Sequence, residues 1–278
     1  MTSQLITIGI TCFNAEDSIA RAIESAQDQS WRNCEIVIID DNSTDRSAEI
    51  IHSYSAKHDI IRLIKNPINK GVSYNRQLLL TESKGKFLAF FDDDDWSFPD
   101  RLSKQVARFN EYATQVGHEN IICYGDRFMI REGQADQVLH GIGREAKEPH
   151  GLMVADAILG DKKAVGYSWG LMGTGTMLAP VALLKEIGGF DPLFRRSAEI
   201  DLALRAVKQS DVHFISVDAP VIKQYWTPTA DKSLWRMGKY QSMMILKHWK
   251  LVLNRGLIFK IAYPYTRYIK KKLGLIPS

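Results

Sequence analysis

Short apolar runs alternate with amphipathic stretches through the first hundred residues of the chain. Four of the runs are rich in β-branched or aromatic residues and end in polar turns, which is typical of strands; they cover residues 5–13, 34–39, 60–64 and 87–91. Between the runs, apolar residues recur at helical spacing, as at Ile19, Ala22, Ile23 and Ala26. Strand and helix therefore alternate four times, which predicts an α/β fold with a doubly wound, mostly parallel sheet and helices on both faces.

The alternation becomes less regular beyond residue 130. The pattern predicts strands over residues 121–130 and 176–179, and helices over residues 181–187 and 199–207. In doubly wound sheets, ligands bind outside the carboxyl ends of the strands. Three polar clusters follow predicted strands: residues 11–14, residues 40–45 and residues 92–95. We therefore expect these clusters to form one binding site.

Four consecutive aspartates, residues 92–95, directly follow the aromatic strand and are called the aspartate quartet below. Like charges this close repel and raise one another's pKa unless a cation or hydrogen-bond donors lie between them. Carboxylate oxygens suit Mg²⁺ or Mn²⁺, whose shell substrate phosphates often complete. The quartet predicts a metal with a diphosphate, and the alternative is a solvated acidic loop. An EF-hand calcium loop does not fit, because Ser97 and Ser103 replace its glycine and glutamate.

Two further carboxylates, Glu199 and Asp201, lie on the last of the predicted helices. Residues two apart on a helix point in different directions, so these two carboxylates cannot serve one site. Asp201 lies four residues before Arg205, which favours an ion pair, so we interpret it as a structural charge and only the runner-up for a catalytic role. Glu199 lies near the first turn, from where it could act as a base; the alternative is an acid that only complements the helix dipole.

Cysteine usage and hydropathy indicate the compartment. The three cysteines, Cys12, Cys34 and Cys123, lie in apolar runs without metal-ligand spacing, which is typical of free thiols in a reducing compartment. The first residues have no basic region of the kind that begins a signal peptide. No apolar stretch reaches the roughly 18 residues that a membrane-spanning helix needs. We therefore expect a cytoplasmic protein.

The end of the chain differs in charge from the rest. Residues 232–278 hold 11 of the 36 Lys and Arg residues and no acidic residue, so the first 231 residues have a net charge of −7. Aromatic residues interleave with these basic ones, which favours a helix at the surface of an anionic membrane. We predict peripheral membrane contact through residues 232–278, and the alternative is a helix packed on the catalytic domain. A nucleic-acid partner is formally possible but not expected.

Other nucleotide-binding folds share the alternation of strands and helices. A dinucleotide-binding Rossmann domain requires a glycine-rich turn after the first strand, where this chain has Cys12, Phe13 and Asn14. The GxGxxA match at residues 141–146 lies in a polar stretch and is treated as chance, and no GxxxxGK[ST] motif is present. A nucleotidyltransferase would also require a basic, glycine-rich loop after the first strand. These classes therefore fit less well.

Five motifs in order resemble those of family 2 glycosyltransferases, which are inverting enzymes with a GT-A fold that use nucleotide sugars. They are ITCFNAEDSIARAIESAQDQSW (residues 10–31), IVIIDDNSTDRS (36–47), NKGVSYNRQ (69–77), FFDDDDWSFPDRL (90–102) and GGFDPLFRRSAEIDLALR (188–205). The resemblance implies a catalytic domain at residues 1–230, with a nucleotide-binding half at about 1–125 and an acceptor half at about 126–230. A basic helical tail at 231–278 would follow.

The resemblance also implies roles for the matching polar residues. The residues that would bind the donor nucleotide are Thr11, Asn14, Asp41, Arg76, Asp92 and Asp93. Among them, Thr11 and Asp41 would contact the uracil or another base. Asp94 would bind Mn²⁺ or Mg²⁺, and Asp92 is the second expected ligand of the metal. The donor would be a nucleoside-diphosphate sugar, with UDP as the expected nucleotide.

Glu199 takes the place of the family's catalytic aspartate. It would deprotonate the acceptor hydroxyl, and the single displacement that follows would invert the anomeric configuration. The chain departs from the family here, because Ala198 and Glu199 replace the usual Glu-Asp pair, so a sugar-nucleotide-binding protein without transfer activity is an alternative. The QxxRW signature of processive members is absent, since residues 224–226 read only QYW. We expect transfer of one sugar to a glycan or glycolipid.

Overall fold

The structure is a computed structural model, which describes residues 4–145, 147–160, 162–209, 211–226 and 234–254. Its strands are β1 (Ile6–Cys12), β2 (Cys34–Asp40), β3 (Ile61–Lys65), β4 (Phe87–Asp92), β5 (Trp96–Ser97), β6 (Ile121–Ile130), β7 (Gln137–Leu139), β8 (Leu178–Pro180) and β9 (His213–Tyr225). Its α-helices are α1 (Ile19–Gln27), α2 (Ser47–Ser55), α3 (Val72–Glu82), α4 (Arg101–Val116), α5 (Leu152–Gly160), α6 (Val181–Glu186), α7 (Ala198–Gln209), α8 (Leu234–Lys247) and α9 (Trp249–Leu253). A 3-10 turn covers Thr174–Thr176.

The strands form one sheet in the order β3-β2-β1-β4-β8-β6-β9-β5, with β7 paired to β6. Strands β3, β2, β1 and β4 are parallel neighbours, and β6 and β9 are also parallel. Strand β8 runs antiparallel to both β4 and β6. The predicted α/β class with a mostly parallel sheet is thereby confirmed, and the carboxyl ends of β1, β2 and β4 meet at one edge.

Helices cover both faces of the sheet because its central strands are apolar on both sides. In β2, Ile36 and Ile38 pack into one core with α1, α2 and α4, whereas Val37 and Ile39 pack into a second core with α3 and α5–α7. This two-sided burial explains why the run at residues 34–39 is almost continuously apolar instead of alternating.

The chain after β9 returns to the second core. Met244 and Ile245 of α8 and Leu251 and Val252 of α9 are buried there beside α7. Residues 255–278, and with them most of the predicted membrane contact, lie outside the described residues. Within the described ranges, no helix combines the length and apolar character needed to cross a bilayer.

Two local features differ from the sequence-based expectation. Strand β9 was not predicted, although it is the longest strand of the described chain. Cys12 and Cys123 are buried free thiols as expected, whereas Cys34 is only half-buried.

Candidate active site

The loops that follow β1 and β2 are held together by hydrogen bonds between their polar residues. Asn14 adopts a left-handed backbone conformation with φ 51°, and its N–H donates to Ser43 Oγ at 3.0 Å. Asn14 Oδ1 accepts the backbone N–H of Thr44 at 2.8 Å, and the N–H of Ala15 donates to Ser47 Oγ at 2.8 Å. The two polar clusters predicted from separate strand ends therefore form one rigid surface.

Asp41 organises the loop before α3. It is 3% exposed, and its carboxylate accepts the backbone N–H groups of Lys70 and Gly71 at 2.8 and 2.7 Å. The side-chain amide of Asn66 donates to Asp41 at 2.8 Å and to Asn75 Oδ1 at 2.7 Å. Because these bonds approach the carboxylate from the loop side, Asp41 is fixed as one wall of a cleft.

That cleft, called the base cleft below, has a volume of about 200 Å³ and is open to solvent. Its lining combines residues from β1, the loop after β2, α3 and the quartet: Thr11, Cys12, Phe13, Asp41, Val72, Asn75 and Asp93. The structure thus brings together three residues predicted to bind the nucleotide. The cleft offers carboxylate and amide groups beside an aromatic ring, which suits a planar base with polar edges.

The aspartate quartet crowds negative charge into partly buried surroundings. Asp93 Oδ2 accepts the backbone N–H of Phe13 at 3.0 Å, and burial, followed by the charges of Asp94 and Asp92, raises the pKa of Asp93 to about 7. Asp95 is 4% exposed, and burial together with Asp92 and Asp94 also raises its pKa. The quartet therefore carries charge that the protein only partly compensates.

The arrangement fits a divalent cation. Asp95 Oδ1 accepts the N–H of Tyr225 at 3.2 Å, but its buried Oδ2 has no hydrogen-bond partner within the described ranges. An uncompensated buried oxygen and neighbouring carboxylates form a hard-oxygen donor set of the type that Mg²⁺ and Mn²⁺ prefer. Asp92 and Asp94 would hold such an ion.

A second cleft, of about 520 Å³, extends from the quartet toward α1. Asn14, Asp93 and Asp94 line it together with Arg21 and Tyr225. The Arg21 guanidinium lies 4.0 Å from the centre of the Tyr225 ring and donates to the backbone carbonyl of Asp94. Arg21 and Tyr225 were not predicted as site residues, because neither lies in a strand-end cluster.

A third cleft, called the Glu199 cleft below, lies at the start of α7 and has a volume of about 390 Å³. It is lined by Glu199, by three arginines (Arg76, Arg195 and Arg196) and by five further residues: Val72, Ser73, Ser197, Ala198 and Tyr240. Arg76 also approaches Asp92 at 3.5 Å, so it links this cleft to the quartet. This cleft also shares its lining residue Val72 with the base cleft, so the two clefts are adjacent.

Arg127 on β6 is a further cation that the sequence did not point to. Burial lowers the pKa of Arg127, and the negative charges of Asp92, Asp95 and Glu199 raise it by less. Its Nη1 donates to Gln224 Oε1 at 3.2 Å. Arg127 therefore offsets part of the negative charge of both groups of carboxylates.

The two carboxylates of α7 have different surroundings. Glu199 is half-buried and faces the Glu199 cleft. Asp201 is fully buried and is held by Arg205 at 2.9 Å, Lys247 at 2.9 Å and His248 at 2.8 Å. Hydrogen bonds from His248 and Lys247 and the charge of Arg205 outweigh burial and lower the pKa of Asp201 to about 2. This geometry favours Glu199 over Asp201 as a base and gives Asp201 a role in anchoring α8 and α9.

The chain belongs to glycosyl transferase family 2, because the model of that family matches residues 7–155. The putative glycosyltransferase EpsE of Bacillus subtilis is 39% identical over 128 residues, which are 45% of this chain and 46% of that protein. The Escherichia coli UDP-Glc:alpha-D-GlcNAc-diphosphoundecaprenol beta-1,3-glucosyltransferase WfaP is 38% identical over 103 residues, 37% of this chain and 40% of that protein. The chain thus matches less than half of the length of these relatives.

Solved structures share the fold. The crystal structure of S. aureus TarS 1-349 in complex with UDP-GlcNAc has a TM-score of 0.65 and 16% identity, and the match covers 95% of this chain and 72% of that chain. The complex of the same protein with UDP gives a TM-score of 0.64. The family and the GT-A fold that the five motifs implied are confirmed.

Proposed function

We propose that this protein is an inverting glycosyltransferase that moves one sugar from a UDP-linked donor to a hydroxyl group of a glycan or lipid-linked glycan. The proposal rests on one observation: Arg76 contacts Asp92 of the quartet and lines the same cleft as Glu199. A diphosphate at the quartet and a base at Glu199 would then flank one sugar carbon, as a displacement requires. The UDP-sugars named for WfaP and for the TarS complex support a UDP-sugar donor.

In this proposal, the base cleft holds the nucleotide through Thr11 and Asp41. Asn14, Arg76, Asp92 and Asp93 would position the ribose and the diphosphate. Asp94 and Asp92 would hold Mn²⁺ or Mg²⁺, which as a Lewis acid would stabilise the negative charge of the departing nucleoside diphosphate.

Glu199 supplies the general base. One of its carboxylate oxygens accepts the proton of the acceptor hydroxyl while the hydroxyl oxygen bonds to the anomeric carbon and the bond to the diphosphate breaks. Attack from the face opposite the leaving group inverts the configuration at that carbon. Arg76 and Arg127 offset the charge that moves onto the diphosphate, because both lie within the field of Asp92.

A screen of nucleotide sugars tests the reaction. We expect one UDP-sugar to give UDP release that depends on Mn²⁺ or Mg²⁺ and stops with a chelator. Nuclear magnetic resonance of the product should show an anomeric configuration opposite to that of the donor. Retained configuration, or activity that is insensitive to chelation, would contradict the proposed mechanism; tight UDP-sugar binding without any release would favour a binding protein without transfer activity.

We further propose that residues 1–230 form the catalytic domain, on which α8 and α9 pack, and that the basic tail of residues 231–278 contacts the cytoplasmic face of a membrane. The basic charge of residues 232–278 and a lipid-linked acceptor support this location. Co-sedimentation with vesicles rich in anionic lipid should fall sharply when residues 257–278 are deleted. Equal sedimentation of both proteins would contradict membrane contact.

A further inference from the structure

A cluster of two histidines and one aspartate lies where β9 begins. The His150 Nδ1 atom is 2.9 Å from Asp211 Oδ1, and His213 Nε2 is 3.5 Å from Asp211 Oδ2. His150, Asp211 and His213 each place one ligand atom within 4.8 Å of those of the other two. The rings of His150 and His213 stack at 4.4 Å with an interplanar angle of 5°. Because a metal ion lies in the plane of each imidazole that binds it, one ring must turn out of this stack for both to bind the same ion.

The backbone fixes this arrangement. His150 and His213 form an isolated antiparallel bridge, in which Phe214 N donates to Pro149 O at 2.9 Å and Gly151 N donates to Val212 O at 3.2 Å. A Cβ atom on Gly151, whose φ is +53°, would lie 2.8 Å from Asp211 Oδ1. The glycine therefore lets the Asp211 carboxylate approach the two rings closely.

Hydrogen bonding selects the nitrogen that His213 directs at Asp211. The buried Nδ1 atom of His213 lies 2.8 Å from the Tyr112 hydroxyl, so Nε2 is the nitrogen left for a ligand. A partner on the second ring nitrogen is the usual outer shell of a metal-binding histidine, because it fixes the tautomer and orientation of the ring.

We propose that His150, Asp211 and His213 bind a zinc ion that is separate from the donor site. Two imidazole nitrogens and one carboxylate oxygen match the ligand types of zinc, whereas Mg²⁺ and Mn²⁺ favour sites made of oxygen. Water would supply the fourth ligand, because the ligand atoms that converge belong to His150, Asp211 and His213 alone among the described residues.

The position of the cluster separates it from the aspartate quartet. His213 is the first residue of β9, and Tyr225, whose N–H donates to Asp95, is the last. A strand of this length spans on the order of 35 Å, so the two sites lie at opposite ends of the sheet. The zinc ion therefore joins β9, the segment before α5 and, through Tyr112, helix α4; it stabilises the acceptor half and takes no part in the transfer step.

Titration of the chelator-treated full-length protein with Zn²⁺ in excess Mg²⁺ tests the site. We expect one ion per chain and a higher melting temperature, and Co²⁺ in its place should give the intense visible absorption of tetrahedral coordination. Replacing His150 by Ala should weaken Zn²⁺ affinity by roughly 100-fold or more, and Tyr112→Phe by roughly 10-fold, as for an outer-shell partner. The exposed-histidine control His58→Ala should bind Zn²⁺ as the parent does.

Several results would overturn the proposal. They are the absence of zinc binding, equal affinity in His150→Ala and His58→Ala, or loss of the bound ion in Asp94→Asn, which would place the zinc at the quartet. Melting curves recorded without metal will show whether His150→Ala folds, and Asp211→Asn provides a second ligand variant with little change in shape.

Discussion

The two halves of the sheet contribute to the candidate active site in different ways. In the half formed by β3, β2, β1 and β4, most of the predicted site residues lie at strand ends, as Asp41 follows β2 and the quartet begins at the end of β4; Arg76 on α3 is the exception. In the half formed by β8, β6 and β9, they come from a helix start, a strand interior and a strand end, as Glu199, Arg127 and Tyr225 show. Parallel strands gather their loops at one edge, whereas the mixed half relies on contacts between distant segments.

The largest effect is expected in the parallel half. Asp94→Asn should lower metal-dependent UDP release by about 10³-fold or more, because the ion that holds the leaving group loses a charged ligand. Initial rates at saturating Mn²⁺ measure this change. The exposed Asp59→Asn serves as the control and should keep the parent rate. A rate for Asp94→Asn within a few-fold of the parent would remove Asp94 from the metal site.

Glu199→Gln tests the contribution of the mixed half. A glutamine keeps the shape of the side chain but cannot accept the acceptor proton, so kcat should fall by about 10²- to 10⁴-fold with little change in KM or melting temperature. Glu49→Gln, an exposed acid in the first turn of α2, is the matched control. If Glu199→Gln keeps full activity while Asp94→Asn is inactive, the base lies elsewhere.

Asp201, two residues further along α7, should affect stability more than chemistry. Its pKa falls from 3.8 to about 2 on folding, which corresponds to about 2 kcal/mol of stability at neutral pH. Because the folded-state pKa is the lower one, this contribution is complete above about pH 4 and is lost as the pH falls toward 2. Asp201→Asn should therefore unfold at a lower denaturant concentration at pH 7.

The difference between Asp201→Asn and the parent protein should shrink as the pH falls below 4. Asp191→Asn is the control, because Asp191 shares the partner Lys247 at 2.7 Å but lies in a more exposed pair, which should contribute less than about 1 kcal/mol. Equal denaturation midpoints of the two variants at pH 7 would show that the buried ion pairs do not anchor α8 and α9.

The same contrast explains how much could be predicted from the sequence. The strands and polar clusters of the parallel half were predicted because each strand is a short apolar run and each polar cluster lies at the end of one. Strand β9 was missed because Asp218 and Pro220 interrupt its apolar pattern, and its register with β6 shifts on both sides of Asp126. Without β9, neither Tyr225 nor the partner of Arg127 could be placed beside the quartet.

The roles of Tyr240 and Asp201 depend on a contact that spans more than 40 residues of sequence. Tyr240 lines the Glu199 cleft because α8 packs beside α7. The same packing brings Lys247 and His248 to the buried carboxylate of Asp201. The spacing of Asp201 and Arg205 predicted their ion pair, which the structure contains. No local pattern could reveal that the same carboxylate also binds the chain after residue 234.

The smallest effect is expected where the two halves meet. Gly175 lies in the 3-10 turn before β8, and a Cβ atom there would lie 2.3 Å from Asp92 Oδ2. Gly175→Ala must displace that carboxylate, and we expect the rate of UDP release to fall roughly 10-fold, the cost of moving a positioned group by a fraction of an ångström. The rate should recover partly at high Mn²⁺ if Asp92 is a metal ligand.

Gly133→Ala is the control for this variant. Position 133 has open space around it, so the substitution should lower stability through its φ of +71° but leave the rate unchanged. An unchanged rate in Gly175→Ala would mean that the position of Asp92 does not limit metal binding and that the mixed half contributes to the site only through Glu199 and its neighbouring cations.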